Sequence, residues 1–328
     1  MNNPRLAFFI ALLLSLTPVF SAETQTTKIL GIGNSFTLNA FRYLKDICDS
    51  ADSVNVDVCS ATISGCSLER HVQHAKEQEA DPQTGKAYVY RANWRIVGKE
   101  MSLKEILLAE DWDIISIQQV SILSYKSESY DPYGEELIAY CHQYCPNAEI
   151  VVHETWSHSV NSPRAKSLIN PDEMYDKLHA AYQDLAKKNN LRLIPSGTAF
   201  QNARATEMWD LAPINFDPKN HGLTYPEDKD KLPGMSKSLN KDFFWKKTDE
   251  GWVVTWDGFH ANTAGEYLAG LVWFQMVTGR PATEVTFKPD SLSTEQAESL
   301  RQVAKQSVES LNLASYSGPR PLPLTSGH

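Results

Sequence analysis

Apolar runs and helical repeats alternate along this chain. Residues 28–33, KILGIG, form a short apolar run closed by glycine. Residues 41–51, FRYLKDICDSA, place Phe41, Leu44, Ile47 and Cys48 on one helical face. Residues 54–62, VNVDVCSAT, alternate valine with polar residues, as a half-buried strand does. A polar helix over 67–78 follows, and 87–97, AYVYRANWRIV, predicts a hairpin or an inserted ribbon. Ser102 and Glu105 form a capping-box pattern at the head of SLKEILLAE. The runs WDIISIQQV (112–120), AEIVVHETW (148–156) and LRLIPSG (191–197) predict buried parallel strands. Helices are predicted between them at 133–145 and 171–189, the latter with Pro171 near its start.

This repeated β-α-β pattern predicts an α/β fold, a parallel sheet with helices on both faces. Ligands in such sheets bind beyond the C-terminal strand ends. Five places follow: Gly33–Ser35, Ala61–Gly65, Gln118–Ser121, His153–Trp156 and Pro195–Gly197.

Residues 201–251 interrupt the pattern with Pro213, Pro218, Pro226, Pro233 and many charges, and are expected to form a surface insertion. A strongly apolar helical pattern resumes at 256–279. The N-terminus predicts a signal peptide over 1–22, with basic Arg5, an apolar run at 6–16 and small residues Ser21 and Ala22. That makes the expected location secreted or periplasmic, with no membrane association after cleavage. One domain is expected over 23–285, then a C-terminal helix and a Pro/Gly-rich tail over 286–328.

The 328 residues carry a net charge of −9, with 42% apolar and 22% charged residues. An ordinary globular core is expected, and a nucleic-acid partner is not. The five cysteines are an odd number without zinc spacing, so mostly buried thiols are expected, with a Cys48–Cys59 bridge as an option. His71 and His74 are expected at the surface.

Ser35 follows the first predicted strand in Gly31-Ile32-Gly33-Asn34-Ser35-Phe36-Thr37. Phe36 breaks a dinucleotide fingerprint, and Thr37 breaks the hydrolase elbow G-x-S-x-G. A serine here is either a helix N-cap or a nucleophile at a helix start. Far downstream, Asp257 and His260 are three residues apart. A carboxylate on one imidazole nitrogen fixes the tautomer and makes the other nitrogen a base.

A serine after the first strand and Asp-x-x-His before the last helix resemble the SGNH, or GDSL-like, hydrolases. GIGNSFT, WDIISIQQ and DGFHANTAGEYLAG are similar, more narrowly, to a secreted bacterial branch of the DUF4886 type, over about Lys28 to Gly279. The resemblance implies a flavodoxin-like three-layer α/β/α sandwich on a mostly parallel five-stranded sheet. It implies Ser35 as nucleophile, His260 as base, Asp257 as its orienting carboxylate and Gly65 as an oxyanion-hole donor. Asn34 stands where many members have aspartate. The family's Gly-x-Asn after the third strand is replaced by Ser-Ile-Gln-Gln, so the second donor is expected from Gln119 rather than Gln118.

Trp156 and Glu154, at the fourth strand's end, are candidates to bind substrate, with core packing as the alternative for Trp156. Trp245, Trp252 and Trp256 either line a cleft or anchor the insertion. The expected function is a serine esterase acting on an acylated, for example acetylated, carbohydrate or a small ester, without cofactor or metal. The alternative is a catalytically weak carbohydrate-binding or accessory protein on the same fold.

Overall fold

A computed structural model describes residues 26–52, 54–234 and 236–311. The expected signal peptide and the Pro/Gly-rich tail lie outside the described residues.

In chain order the elements are β1 (Thr27–Gly33), α1 (Ser35–Phe41), α2 (Leu44–Asp49), β2 (Val56–Thr62), α3 (Leu68–Ala80), β3 (Tyr88–Ala92) and β4 (Arg95–Met101). Then come α4 (Leu103–Leu107), β5 (Ile114–Ile117), α5 (Tyr133–Tyr144), β6 (Glu149–His153), α6 (Pro163–Ser167), α7 (Pro171–Lys188) and β7 (Arg192–Ile194). The chain continues through α8 (Ser196–Arg204), β8 (Phe243–Thr248), β9 (Gly251–Trp256), α9 (Thr263–Thr278) and α10 (Thr294–Glu309).

The central sheet runs β4-β3-β2-β1-β5-β6-β7. The pairs among β2, β1, β5, β6 and β7 are parallel. The 87–97 segment is the hairpin option: β3 and β4 extend the sheet antiparallel at its β2 edge. This is an α/β/α sandwich on a mostly parallel sheet that has seven strands rather than the expected five, because β3 and β4 join its edge. Both faces are dry because β-strand side chains alternate. Ile29, Val58, Ile114, Val151 and Ile194 point into one core with α1, α2, α8, α9 and α10. Leu30, Cys59, Ile115, Val152 and Leu193 point into the other, with α3, α4, α5 and α7.

The same alternation excludes the Cys48–Cys59 option. Cys48 lies in the first core and Cys59 in the second, on opposite faces of the sheet, and all five cysteines are free and buried. His71 also departs from expectation. It is buried, with Nδ1 2.8 Å from the Tyr88 hydroxyl, because α3 turns this residue onto the sheet.

Local signals hold at the helix ends. Ser102 and Glu105 make the capping box of α4, and Asn170 caps α7 with Pro171 in its first turn. Helix α9 is buried on nearly every side, since the sheet and α10 enclose it, which explains its all-round apolar sequence.

The inserted stretch ends in the β8–β9 hairpin. Its cross-strand pairs put Phe243, Trp245, Trp252 and Trp256 on one face. That face packs on Phe216, His221 and Tyr225, with Tyr225 stacked on Trp252 at 4.1 Å between centroids. The tryptophans thus anchor the insertion. β9 runs directly into Asp257.

Candidate active site

Ser35 stands at the C-terminal end of β1, the central parallel strand, where the chain turns into α1. The turn is held by its neighbours. Asn34 Oδ1 accepts from the Phe36 N–H at 3.0 Å and from Gln118 Nε2 at 3.0 Å. Asn34 Nδ2 donates to Cys66 O at 3.0 Å, tying this turn to the one after β2. An aspartate could not make that last bond, because a carboxylate only accepts. Thr37 Oγ1 and His153 Nδ1 both donate to Gln118 Oε1, at 2.9 and 3.0 Å. The glycine before Asn34 permits the approach. A Cβ on Gly33 would lie 2.4 Å from Thr37 Oγ1 and 2.8 Å from Gln118 Cγ. This glycine serves helix-to-strand packing rather than phosphate binding.

His260 comes from a loop between β9 and α9. Its Nε2 lies 2.8 Å from Ser35 Oγ, and its Nδ1 lies 2.6 Å from Asp257 Oδ2. The carboxylate can only accept, so Nδ1 carries the proton and Nε2 is left to accept from the serine hydroxyl. Asp257 Oδ1 accepts from the N–H groups of Phe259 and His260, at 3.0 and 2.8 Å. Burial alone would raise the Asp257 carboxyl. The bonds from the His260 ring and these two N–H groups outweigh it and hold the group below the usual carboxylate range. Gly258 permits the tight loop. Its φ is 69°, and a Cβ would lie 2.5 Å from Ser162 Cα.

Three contacts from elsewhere in the chain fasten this loop. Lys241 N donates to His260 O at 2.8 Å. Trp156 Nε1 and Asn240 Nδ2 donate to Phe259 O, at 2.9 and 3.2 Å. Asn39, one turn beyond Ser35, accepts from Ala261 N at 3.3 Å and donates to Glu266 Oε1 at 2.8 Å, joining α1 to α9. Asn39 and Asn240 carried no motif. Their only sequence signal is an amide beside each end of the DGFH segment's packing partners, which is visible only in three dimensions.

Three expected placements do not hold. Gln119 faces the second core, away from Ser35. Its Nε2 donates to Ser129 O and Ser129 Oγ, at 2.9 and 3.2 Å, while its Oε1 accepts from Leu68 N and Val120 N. It stabilises the loop after β5, away from an oxyanion at Ser35. Gln118 is on the serine side, as alternation requires, with one amide hydrogen committed to Asn34. Glu154 is fully buried, and its carboxylate accepts from His179 Nδ1 and the Thr198 N–H and hydroxyl, so it caps α8 instead of meeting substrate. Trp156 is fully buried and stacked between Phe36 at 4.7 Å and Phe200 at 4.5 Å. It supports the histidine loop from beneath. Gly65 lies in the exposed turn after β2, and among the described hydrogen bonds none uses its N–H.

Ser35, His260 and Asp257 thus stand in hydrogen-bonded series at one end of a mostly parallel α/β/α sandwich. The family profile "Domain of unknown function (DUF4886)" matches residues 28–221, and the chain belongs to that family. A DUF4886 family protein from Bacteroides uniformis is 26% identical, with a TM-score of 0.68 over 87% of this chain and 96% of its own. A protein provisionally assigned as an SGNH hydrolase from Slackia heliotrinireducens is 18% identical (TM-score 0.44, 76% and 98% covered). The lipase/acylhydrolase from Enterococcus faecalis is 13% identical (TM-score 0.41, 77% and 96% covered). A comparison with curated proteins gives no match. Among the described residues no helix is long and apolar enough to cross a membrane.

Proposed function

We propose that this protein is a secreted serine ester hydrolase acting on an acylated carbohydrate, with an acetyl ester as the simplest substrate. The observation that carries the chemistry is the series Ser35 Oγ to His260 Nε2 to Asp257, at 2.8 and 2.6 Å.

Ser35 Oγ attacks the ester carbonyl carbon while His260 Nε2 takes the hydroxyl proton. Asp257 keeps the ring in the correct tautomer and stabilises the imidazolium. The N–H groups of Ser35 and Gly65 receive the oxyanion. Collapse expels the alcohol, which takes the proton from His260. Water, deprotonated by the same nitrogen, then releases the acid and restores the serine. The half-open position of the pair, with His260 26% and Asp257 15% exposed, suits a substrate arriving from solvent. The carbohydrate reading rests on the expected export.

Hydrolysis of p-nitrophenyl acetate and acetylated xylo-oligosaccharides tests the mechanism. Ser35→Ala and His260→Ala are each expected to lose roughly four to six orders of magnitude in kcat. Equal rates in wild type and both variants would sink it. A second reading, a carbohydrate-binding protein with weak catalysis, is favoured by one observation: the Gln119 amide is bonded to Ser129, away from Ser35. Saturable glycan binding without turnover across an ester panel would select that reading.

A further inference from the structure

Beneath the serine turn a row of buried polar side chains crosses the sheet. Ile32, Ile117 and Val152 are paired across β1, β5 and β6. Gly33, Gln118 and His153 therefore stand side by side one residue further on, at the C-terminal strand ends. His153 is itself paired with Ile194 of β7. Alternation turns this row toward the core that holds α1 and α9. Gln118, His153 and Ser196 are all buried. His153 Nε2 lies 3.1 Å from Ser196 Oγ, and the Trp273 indole meets its ring edge-on at 5.5 Å.

The direction of every bond in the row follows from one backbone group. The Phe36 N–H can only donate, so Asn34 presents Oδ1 to it. Gln118 then meets Asn34 with Nε2 and turns Oε1 toward Thr37 and His153. An amide oxygen can only accept, so His153 carries its proton on Nδ1, and Nε2 accepts from the Ser196 hydroxyl. Burial pushes this imidazole down to about 3, so it stays neutral and keeps one donor and one acceptor. Replacing both partners of a buried hydrogen bond with apolar groups of matching shape is nearly neutral for stability. Stability alone therefore does not call for a polar row here. What the bonds add is a fixed orientation. The row ends on Asn34, which holds the Phe36 N–H on one side and Cys66 O, next to Gly65, on the other.

We propose that His153 is a positioning residue for the nucleophile: through Gln118 and Asn34 it sets the Ser35 turn and the spacing of that turn from Gly65. Ser196 acts one step further back, by holding the His153 ring. Both work through other side chains. The role rests on the esterase reading of Ser35.

Three variants and two readouts test it. His153→Phe fills the space without the donor, His153→Asn restores an amide N–H near the place of Nδ1, and Ser196→Ala removes only the far bond. The first readout is the backbone amide NMR shifts of Ser35, Phe36 and Gly65, which need no turnover. They are expected to move in His153→Phe and to return toward wild type in His153→Asn. The second is kcat and KM for p-nitrophenyl acetate. His153→Phe is expected to lose about a hundredfold in kcat at little-changed KM, the effect of misplacing a reacting group by about 1 Å. His153→Asn should regain about tenfold of this, and Ser196→Ala should lose less than His153→Phe. Unmoved amides or wild-type kcat in a folded His153→Phe would overturn the proposal, as would a kcat loss that His153→Asn fails to recover at matched Tm. If His153→Phe does not fold, unmoved amides in Ser196→Ala overturn it instead. Amides that move as expected, with wild type no faster than Ser35→Ala, would leave the row's geometry standing and overturn the esterase reading.

Discussion

The two halves of the proposed triad are built differently. Ser35 sits on the most local support the fold has, a strand end turning directly into a helix, wedged by Gly33 and Thr37. Its long-range ties, through Asn34, Gln118 and Cys66, are buried and all neutral. His260 and Asp257 sit on a loop that follows an inserted hairpin. That loop is fixed by bonds from the 238–242 segment, Trp156 and Asn39, and by a charged partner. A nucleophile must be aimed, which packing does well. A base must change charge during reaction, which requires a partly open position and a carboxylate.

After removal of Ser35 or His260 themselves, the next largest effect is expected at the carboxylate of the charged half. Asp257→Asn should lower kcat about 10⁴-fold with little change in Tm, because it alters the imidazole tautomer without disturbing packing. Steady-state kinetics beside a thermal melt would show this, and a Tm loss matching the activity loss would instead make Asp257 structural. Gly258→Ala should follow. It combines a positive φ with a 2.5 Å approach to Ser162 Cα, so about 2–4 kcal/mol of stability is expected to be lost, read by denaturant unfolding.

The glutamine pair gives the sharpest contrast. Gln118→Leu should remove two supports of the serine turn, costing about 2–3 kcal/mol and impairing activity. Gln119→Leu should cost a similar amount of stability while kcat stays within a few-fold of wild type. A hundredfold fall in kcat at unchanged KM for Gln119→Leu would restore its oxyanion role.

Acid should separate the halves further. His71, His153 and His158 are held near 3 by burial, whereas an unfolded histidine takes its proton near 6.5. Unfolded chains therefore bind more protons below that value. Stability is flat above about pH 7 and falls by roughly 1.4 kcal/mol per pH unit per histidine between about 6.5 and 3. His153→Phe should flatten this acid limb by about a third. Asp257 acts lower. Its folded pKa is depressed, so its contribution is present above the unfolded value near 3.9 and vanishes only as pH falls through the lower folded one. Urea midpoints measured from pH 8 to 2 would distinguish the windows. Asn39→Ala is the smallest change, about 1 kcal/mol, with a larger fractional loss in kcat than in Tm if α1 and α9 position the two halves.

The glutamines also show where sequence reading stopped. Alternation from Ile117 correctly sends Gln118 and Gln119 to opposite faces. Choosing the one nearer the strand end selected the wrong face, because position along a strand does not tell which core contains α1. Glu154 and Trp156 failed for a related reason. Both follow β6 at its C-terminal end, the expected ligand edge, but α8 and Phe200 cover them. His71 lies on a polar helix whose inward face is revealed only by the sheet beneath it.

Periodicity and short-range chemistry belong to the sequence alone. The five parallel strands, the helices between them, the cap at Ser102, Pro171 at a helix start, and the pairing of DGFH with a serine after the first strand all follow from neighbours within a few residues or from motif order. Tertiary structure alone decided which amides are free. It committed Gln119 to Ser129, Asn34 to Cys66 and Asn39 to α9, and it left His158 with no partner. The physical reason is that a buried polar group must find a partner wherever the fold supplies one, and those partners lie up to 227 positions away along the chain.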